Sequence, residues 1–121
     1  MRKTEILFIA FVSLMIFSCS SNNTVMIVYE TTGAISEYNL HYLDKNGELT
    51  DTVIQPQSKA DIWDYRFLGK EGDIVYVSGK YNEAKSGLQI MIKVDGKIYK
   101  QTSNEGDTLN YLTISGVVPY K

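Results

Sequence analysis

The stretch GLQIMIKVDGKIYKQT, residues 87–102, decides the fold of this chain. Apolar and polar side chains alternate in its first half, where the apolar face carries Leu88, Ile90, Ile92 and Val94. A period of two is typical of a β-strand that buries one face. Asp95 and Gly96 come next, and this dipeptide favours a two-residue hairpin turn because both positions tolerate positive φ. The stretch therefore predicts two antiparallel strands, 87–94 and 97–102, joined by a tight turn.

Similar patterns continue on both sides of this hairpin. The segments 35–43 and 60–68 each place three apolar or aromatic side chains on one face, namely Tyr38, Leu40 and Tyr42, and Trp63, Tyr65 and Phe67. Four further segments rich in strand-favouring residues are bounded by turn residues: 24–30, 48–54, 72–80 and 109–118. The centre of segment 72–80 is almost entirely apolar, which predicts a strand covered on both sides.

The spacing of these segments predicts the architecture. They amount to seven or eight short strands with regular turns between them, and none has a helical period. We therefore expect an all-β fold, an antiparallel immunoglobulin-like β-sandwich preceded by a signal peptide. One such domain fits residues 24–121, because a domain of about 100 residues buries enough surface to fold without disulfides.

The first 18 residues are predicted to be a lipoprotein signal peptide. Two basic residues near the start precede residues 6–17, an uncharged apolar run of twelve residues. A membrane-spanning helix needs roughly 20 apolar residues, so this run is typical of a signal peptide instead. Cys19, the only cysteine, directly follows Ser18 and resembles the lipidated cysteine of bacterial lipoproteins. The alternatives are an ordinary signal peptide with an incidental cysteine, or an uncleaved anchor.

A lipid on Cys19 would make the membrane a partner of the domain. Residues 19–23 are then the lipidated cysteine and a polar tether, and stable anchoring takes at least two acyl chains, which lipoproteins carry on one cysteine. No acidic residue occurs in 20–23. This absence favours the periplasmic face of an outer membrane, so we expect a lipid-anchored protein of the cell envelope.

Charge and composition exclude several classes of function. Twelve basic and fourteen acidic residues give a net charge of −2, whereas a nucleic-acid partner requires a basic face. One cysteine excludes a disulfide framework and a cysteine-based zinc site, and His41 is the only histidine. Residues 44–48 loosely resemble a calcium loop, but turn chemistry explains them fully. We predict no enzyme, no cofactor and no metal, with His41 as a solvent-facing strand residue.

The aromatic residues admit two interpretations. Trp63 is expected in the core of the sandwich, with an exposed ring that binds sugars or a partner as the alternative. Four tyrosines are better candidates for surface rings that bind a ligand: Tyr29, Tyr81, Tyr99 and Tyr120.

The strands read together resemble a known family. The segments VYETTG at 28–33, YLD at 42–44 and IKVDG at 92–96 are similar to the MmpS family, small membrane-anchored proteins of mycobacteria with an extracytoplasmic β-sandwich. The pattern also resembles small lipoproteins common in Bacteroidetes. The resemblance spans residues 28–118 and implies the same sandwich fold. It also implies a role as an accessory of large lipid-exporting or efflux transporters.

These observations lead to one expected function and two alternatives. The expected function is a non-enzymatic, membrane-anchored lipoprotein that contacts an envelope protein, as an interaction module or as an accessory of a transport system. The first alternative is a module that binds glycans or small ligands through exposed aromatic residues. The second is a structural envelope protein whose free sheet edges accept a strand from a partner.

Overall fold

The computed structural model describes residues 24–106 and 111–120, and every regular element in these ranges is a β-strand. The predicted signal peptide 1–18 and the predicted lipidation and tether segment 19–23 lie outside the described residues. The eight strands are β1 (Thr24–Thr32), β2 (Tyr38–Leu43), β3 (Leu49–Ile54), β4 (Trp63–Lys70), β5 (Ile74–Tyr81), β6 (Gly87–Val94), β7 (Lys97–Glu105) and β8 (Tyr111–Val117).

The strands form two four-stranded antiparallel sheets, which confirms the predicted all-β sandwich. One sheet has the order β4-β1-β6-β7 and the other the order β3-β2-β5-β8. The first strand lies between β4 and β6, whereas the first strand of an immunoglobulin constant domain pairs with the second. The edges are therefore β4 and β7 in the first sheet, and β3 and β8 in the second.

The core lies between the two sheets and comes mainly from their central strands. The buried side chains that these four strands contribute include Val25, Ile27, Tyr29, Tyr38, Leu40, Tyr42, Val75, Val77, Tyr81, Leu88, Ile90 and Ile92. They follow the period of two along β1, β2, β5 and β6, because alternate side chains of a strand point to the same face. The predicted inward faces of segments 35–43 and 87–94 are thereby confirmed, with Val94 only partly buried.

The predicted hairpin turn between β6 and β7 is also confirmed. Asp95 has a φ of 50° and Gly96 a φ of 82°, as a type I′ turn requires. The turn is fastened to the start of β1, because the Asp95 side chain accepts a hydrogen bond from the Met26 backbone N–H at 2.8 Å. The Asp95 N–H in turn donates to the Met26 carbonyl at 2.8 Å.

The prediction that segment 72–80 is covered on both sides is wrong. In β5 the even-numbered residues face outward, and Ile74 is 64% exposed while Val75 and Val77 are fully buried. The apolar run misled the prediction because Ile74 and Tyr76 lie on the outer face of a sheet that nothing covers among the described residues. β5 is therefore a half-buried central strand.

The two ends of the sandwich differ in what they carry. The entry end is the one where β1 begins, and it carries the turns 44–48, 71–73 and 95–96 together with residues 118–120. These parts are joined by register and hydrogen bonds: Thr24 pairs with Lys70, and the Gly72 N–H donates to the Val118 carbonyl at 2.9 Å. The far end carries the connections 33–37, 55–62 and 82–86.

Candidate functional site

One lateral side of the sandwich holds a row of half-buried rings that we call the aromatic seam. Trp63, Tyr65 and Phe67 lie on the inner face of the edge strand β4 and are partly buried against the core, as the period of two predicted. On this side β4 is the edge of one sheet and β3 the edge of the other. The rings therefore fill the opening between two edge strands while keeping part of their surface in solvent.

The rings of the seam interlock with two core tyrosines. The Tyr42 ring centroid lies 4.9 Å from that of Tyr65 and 5.4 Å from that of Trp63. The centroids of Tyr65 and Phe67 are 5.4 Å apart with the planes tilted by 40°, and Tyr29 meets Phe67 edge-on at 5.4 Å. Tilted and edge-on pairs of this kind stabilise a packed cluster. They do not form the flat row of rings on which a sugar would stack.

The turn 44–48 borders the seam and is ordered by one carboxylate. Asp44 Oδ1 accepts hydrogen bonds from the N–H groups of Asn46 at 2.9 Å and Glu48 at 3.0 Å. Asp44 Oδ2 accepts a third, from the Thr50 hydroxyl at 2.9 Å. These bonds, led by the one from the Glu48 N–H, lower the pKa of Asp44 below its usual value. The interpretation of this segment as an ordinary turn is confirmed, with Gly47 at a φ of 76°.

The phenols beside the seam are held in their neutral form. Burial raises the pKa of Tyr29 to about 12, and its hydroxyl donates to the Leu43 carbonyl at 2.8 Å. Burial also raises the pKa of Tyr42 and of Tyr38 above the usual value. The Tyr65 hydroxyl, nearer the surface, accepts a hydrogen bond from the Lys45 N–H at 3.1 Å. The buried tyrosines Tyr29 and Tyr42 therefore back the seam with neutral rings, and the polar turn borders it.

The prediction that Tyr29 and Tyr81 are surface rings is wrong. Both side chains are completely buried. Tyr29 shares the inner face of β1 with Ile27, and Tyr81 shares the inner face of β5 with Val77. Their hydroxyls reach partners at the rim of the core, and that of Tyr81 donates to the Gly106 carbonyl at 2.6 Å. A tyrosine whose hydroxyl is satisfied can occupy the core as an apolar ring does.

The remaining predicted binding aromatics lie on three separate parts of the molecule. Trp63 is half-buried in the seam and packs on the core, in line with the core interpretation. Tyr99 lies on the opposite lateral side, where its hydroxyl donates to the Val117 carbonyl at 2.7 Å. Tyr120 is 77% exposed at the entry end, with its hydroxyl against Gly72. The rings that do accompany Trp63 are Tyr65 and Phe67, which the period of two along β4 already indicated.

His41 is an exposed residue on the outer face of the sheet that contains β2. It is hydrogen-bonded through Nδ1 to Asp51, its register partner on β3. The prediction of a solvent-facing strand residue is thus confirmed. Within residues 24–106 and 111–120, no group of three or more His, Cys, Asp or Glu side chains is placed to hold a metal ion.

Comparison with known proteins gives no family assignment. No protein-family model matches the chain, and no curated protein matches it significantly. Membership of the MmpS family therefore stays a prediction. In the part of the chain that the structure describes, there is no helix long and apolar enough to cross a membrane.

Proposed function

We propose that this chain is a non-enzymatic lipoprotein of the cell envelope whose sandwich is an interaction module for another envelope protein. Two features support the proposal. Cys19, the only cysteine, directly follows an apolar run of signal-peptide length, and a complete sandwich starts at Thr24. The described residues form a packed core, and no group of three or more His, Cys, Asp or Glu side chains among them is placed to hold a metal ion.

The single observation that carries the interaction role is the contrast between the two lateral sides of the sandwich. On the side of β7 and β8, the hydrogen bond from Tyr99 to Val117 links the two edge strands. On the side of β3 and β4, the edges are separated by the half-exposed rings of the seam. Within the described residues each of the four edge strands pairs with one neighbour only, so the exposed rings beside the edge distinguish the β3/β4 side. An unpaired edge is a template for an added strand.

The mode of contact we propose is strand addition along β4. The added strand would hydrogen-bond to the free edge and cover the exposed flanks of Trp63, Tyr65 and Phe67. On the outer face the same edge presents Asp64, Arg66, Leu68 and Lys70, all exposed, which supply side-chain specificity. Aromatic rings that become fully desolvated are the residues that contribute most to protein interfaces.

The partner we propose is a component of an envelope transport system. This part of the proposal rests on the resemblance to the MmpS family, whose members act beside lipid-exporting or efflux transporters. The lipid on Cys19 would hold the domain at the periplasmic face of the outer membrane, within reach of such a component.

The test is photo-crosslinking in cells that produce the full-length protein. A photoreactive amino acid at Arg66 on β4 is compared with one at Lys100 on β7, which is exposed on the opposite side. One envelope protein recovered repeatedly from Arg66 and not from Lys100 supports the proposal. The same background of proteins from both positions contradicts it.

The lipid anchor is tested separately with Cys19→Ala. We expect the variant to leave the membrane fraction and to incorporate no labelled fatty acid, whereas Ser20→Ala keeps both properties. Continued membrane retention of the Cys19→Ala protein would contradict the anchor.

The alternative of a glycan- or small-ligand-binding module keeps one supporting observation, the half-exposed Trp63 ring. Tyr29 and Tyr81 are buried, and Tyr99 and Tyr120 lie away from the seam. Quenching of Trp63 fluorescence by a soluble glycan, with saturation, would favour this alternative.

A further inference from the structure

Exposed large apolar side chains are concentrated at the entry end of the sandwich. Within residues 24–106 and 111–120, seven of them lie there, and we call this set the apolar rim: Met26, Leu49, Leu68, Ile74, Ile98, Val117 and Tyr120. The other exposed large apolar side chains in these ranges lie towards the far end: Ile35, Val53, Ile62 and Tyr111. Single exposed apolar residues need no explanation, but a concentration of them at one end of a small domain indicates a contact surface.

The rim encircles the entry end because it is built on the outer faces of both sheets. Met26 and Leu68 are register partners on β1 and β4, and Leu68 is 65% exposed. Ile74 and Val117 are register partners on β5 and β8, on the other sheet, and Ile74 is 64% exposed. Because apolar side chains lie on both outer faces at this end, they would all become buried if the end entered an apolar layer such as a lipid bilayer.

An open cavity of mixed lining lies beside the rim. It has a volume of about 470 Å³ and lies between the turns 44–48 and 71–73. Its apolar lining comes from Leu43, Phe67, Leu68 and Ile74, and its polar lining includes Asp44, Lys45 and Asp73. A mixed lining of this kind suits the interfacial layer of a bilayer, where polar headgroups and acyl chains meet.

Charge at the entry end does not favour attraction to anionic lipid. The turns and the adjoining strand ends carry exposed Lys45, Lys70 and Lys97, and they also carry Asp44, Glu48, Glu71, Asp73 and Asp95. Asp73 accepts a hydrogen bond from the Lys70 N–H at 2.9 Å, and Asp44 and Asp95 also accept from backbone N–H groups. A contact made by this end therefore depends on its apolar side chains, with the lysine stems able to reach the headgroups.

The predicted lipid anchor lies close to the apolar rim, which makes a lipid surface the expected contact of the rim. The part of the chain that precedes the described residues joins the sandwich at Thr24, within the entry end. Cys19 lies five residues earlier, so its lipid is at most ~18 Å from Thr24. Such tethering raises the local concentration of bilayer at this end, and a weak apolar contact is then sufficient.

We propose that the apolar rim inserts into the interfacial layer of the bilayer that holds the lipid on Cys19, so that the sandwich stands end-on at the membrane. This inference rests on the lipid anchor of the proposed function. Amphipathic surfaces that lie in this layer bury their apolar side chains about 5–10 Å deep. End-on docking leaves the far part of the aromatic seam, at Trp63 and Tyr65, and the β4 edge around Arg66 free along the side of the molecule.

The test uses the full-length, lipidated protein in phosphatidylcholine vesicles. Because the thiol of Cys19 is consumed by the lipid, one added cysteine is the only site for an environment-sensitive fluorophore. The rim variants are Leu68→Cys and Ile74→Cys. Matched controls at the far end are Ile35→Cys and Val53→Cys, whose parent residues are 48% and 54% exposed. We expect a blue shift and quenching by spin-labelled lipid at the rim positions only, unchanged by high salt.

Three other outcomes overturn the proposal in distinguishable ways. Vesicle-bound protein with rim probes as solvent-exposed as the far-end probes contradicts the docking and leaves the anchor intact. A blue shift at the rim without quenching by spin-labelled lipid identifies a protein occupant, such as a second copy, instead of the bilayer. Protein that does not float with the vesicles contradicts both the anchor and the docking.

A second variant tests whether the rim acts as one surface. Leu68→Ser with Tyr120→Ser changes only exposed side chains, so the fold is expected to remain. In this background the blue shift of the Ile74→Cys probe should be lost. The matched change Ile35→Ser with Ile62→Ser should leave it unaltered. Equal loss in both backgrounds would contradict a specific role of the rim.

Discussion

The hydroxyl of Tyr99 on β7 donates a 2.7 Å hydrogen bond to the carbonyl of Val117 on β8, and so joins the edges of the two sheets. The ring lies directly against Gly116, where an added Cβ would come within 2.7 Å of the Tyr99 hydroxyl. A glycine at this position lets the ring cross the edge of the second sheet. This contact makes the β7/β8 side closed and leaves the β3/β4 side as the open one.

We predict that Tyr99→Phe lowers the free energy of unfolding by about 0.5–1.5 kcal/mol, because the ring stays packed but the bond is lost. Tyr120→Phe, at an exposed ring, should have little effect. Both values come from urea denaturation of the same preparation. A Tyr99→Phe protein as stable as the parent would show that the bond contributes nothing to closing this side.

Stability at alkaline pH should depend on Tyr29. Burial raises the pKa of Tyr29 to about 12, above the ordinary value of 10.0 that it regains on unfolding. Between these values the unfolded chain has lost a proton that the folded chain keeps, so the free energy of unfolding falls as pH rises from 10 towards 12. Tyr38 and Tyr42, whose pKa values burial also raises, act in the same direction.

The change Tyr29→Phe should make this alkaline loss of stability smaller. At neutral pH it should cost about 1 kcal/mol through the lost bond to the Leu43 carbonyl. Urea titrations at several pH values, compared with an exposed-ring control such as Tyr111→Phe, measure both effects. An unchanged slope above pH 10 would contradict the raised pKa of Tyr29.

Acid stability should depend on Asp44. Hydrogen bonds from backbone N–H groups lower its pKa, so the folded state favours the carboxylate. The resulting stability is present above the unfolded pKa and is lost as pH falls through the lower folded pKa. Asp44→Ala should therefore be less stable than the parent at pH 7, with the difference shrinking in acid. Asp51→Ala on the outer face is the control, and an Asp44→Ala deficit that is constant down to pH 2 would argue against this role.

Much of the sandwich could be predicted from the sequence because its strands are half-buried. The alternation in β2 and β6 identified Leu40, Ile90 and Ile92 as core residues, and Asp95-Gly96 fixed a hairpin by local φ preferences alone. The same alternation places Tyr29 with Ile27, so its burial was available from the pattern. The prediction of a surface ring at Tyr29 relied on the residue type instead, and tyrosine is common both in cores and on binding surfaces.

Other features depend on which distant strands lie next to each other, and these could not be predicted from the sequence. The aromatic seam exists because β4 and β3 come to the same lateral side, which the order of the strands along the chain does not reveal. The apolar rim likewise combines Leu68 and Ile74 from different sheets. In the sequence, each of these residues is an ordinary exposed strand position, and only the fold shows that both lie at the same end of the sandwich.

Close packing between the sheets predicts that adding a single methyl group at Gly79 destabilises the fold. A Cβ at this position would lie 2.5 Å from Leu88 Cδ2 and 3.1 Å from Leu40 Cδ2, on the facing and the neighbouring strand. Gly79→Ala should lower the free energy of unfolding by about 1–3 kcal/mol, as overpacked core substitutions do. Ser78→Ala, one residue away on the outer face, is the control. A fully stable Gly79→Ala protein would mean that the core has room that these distances exclude.

Trp63 fluorescence can report whether the β3/β4 side is exposed to solvent or covered by a partner. It is the only tryptophan, so fluorescence excited selectively at tryptophan reports the aromatic seam. In the free protein we expect partial quenching by iodide, because the ring is half-buried. A partner strand added along β4 would cover the ring, and we expect a blue shift and a smaller quenching constant. The partner to use is the protein captured by crosslinking from Arg66.

The matched control moves the reporter to the closed side. In a Trp63→Phe, Lys100→Trp protein, which keeps the bond from Tyr99 to Val117, the same partner should leave the emission and the quenching constant unchanged, since the β7 and β8 edges are already joined there. If binding shields the reporter at position 100 and not the one at position 63, the interface lies on the β7/β8 side. The strand-addition model would then have to be abandoned, because its whole basis is the difference between these two sides.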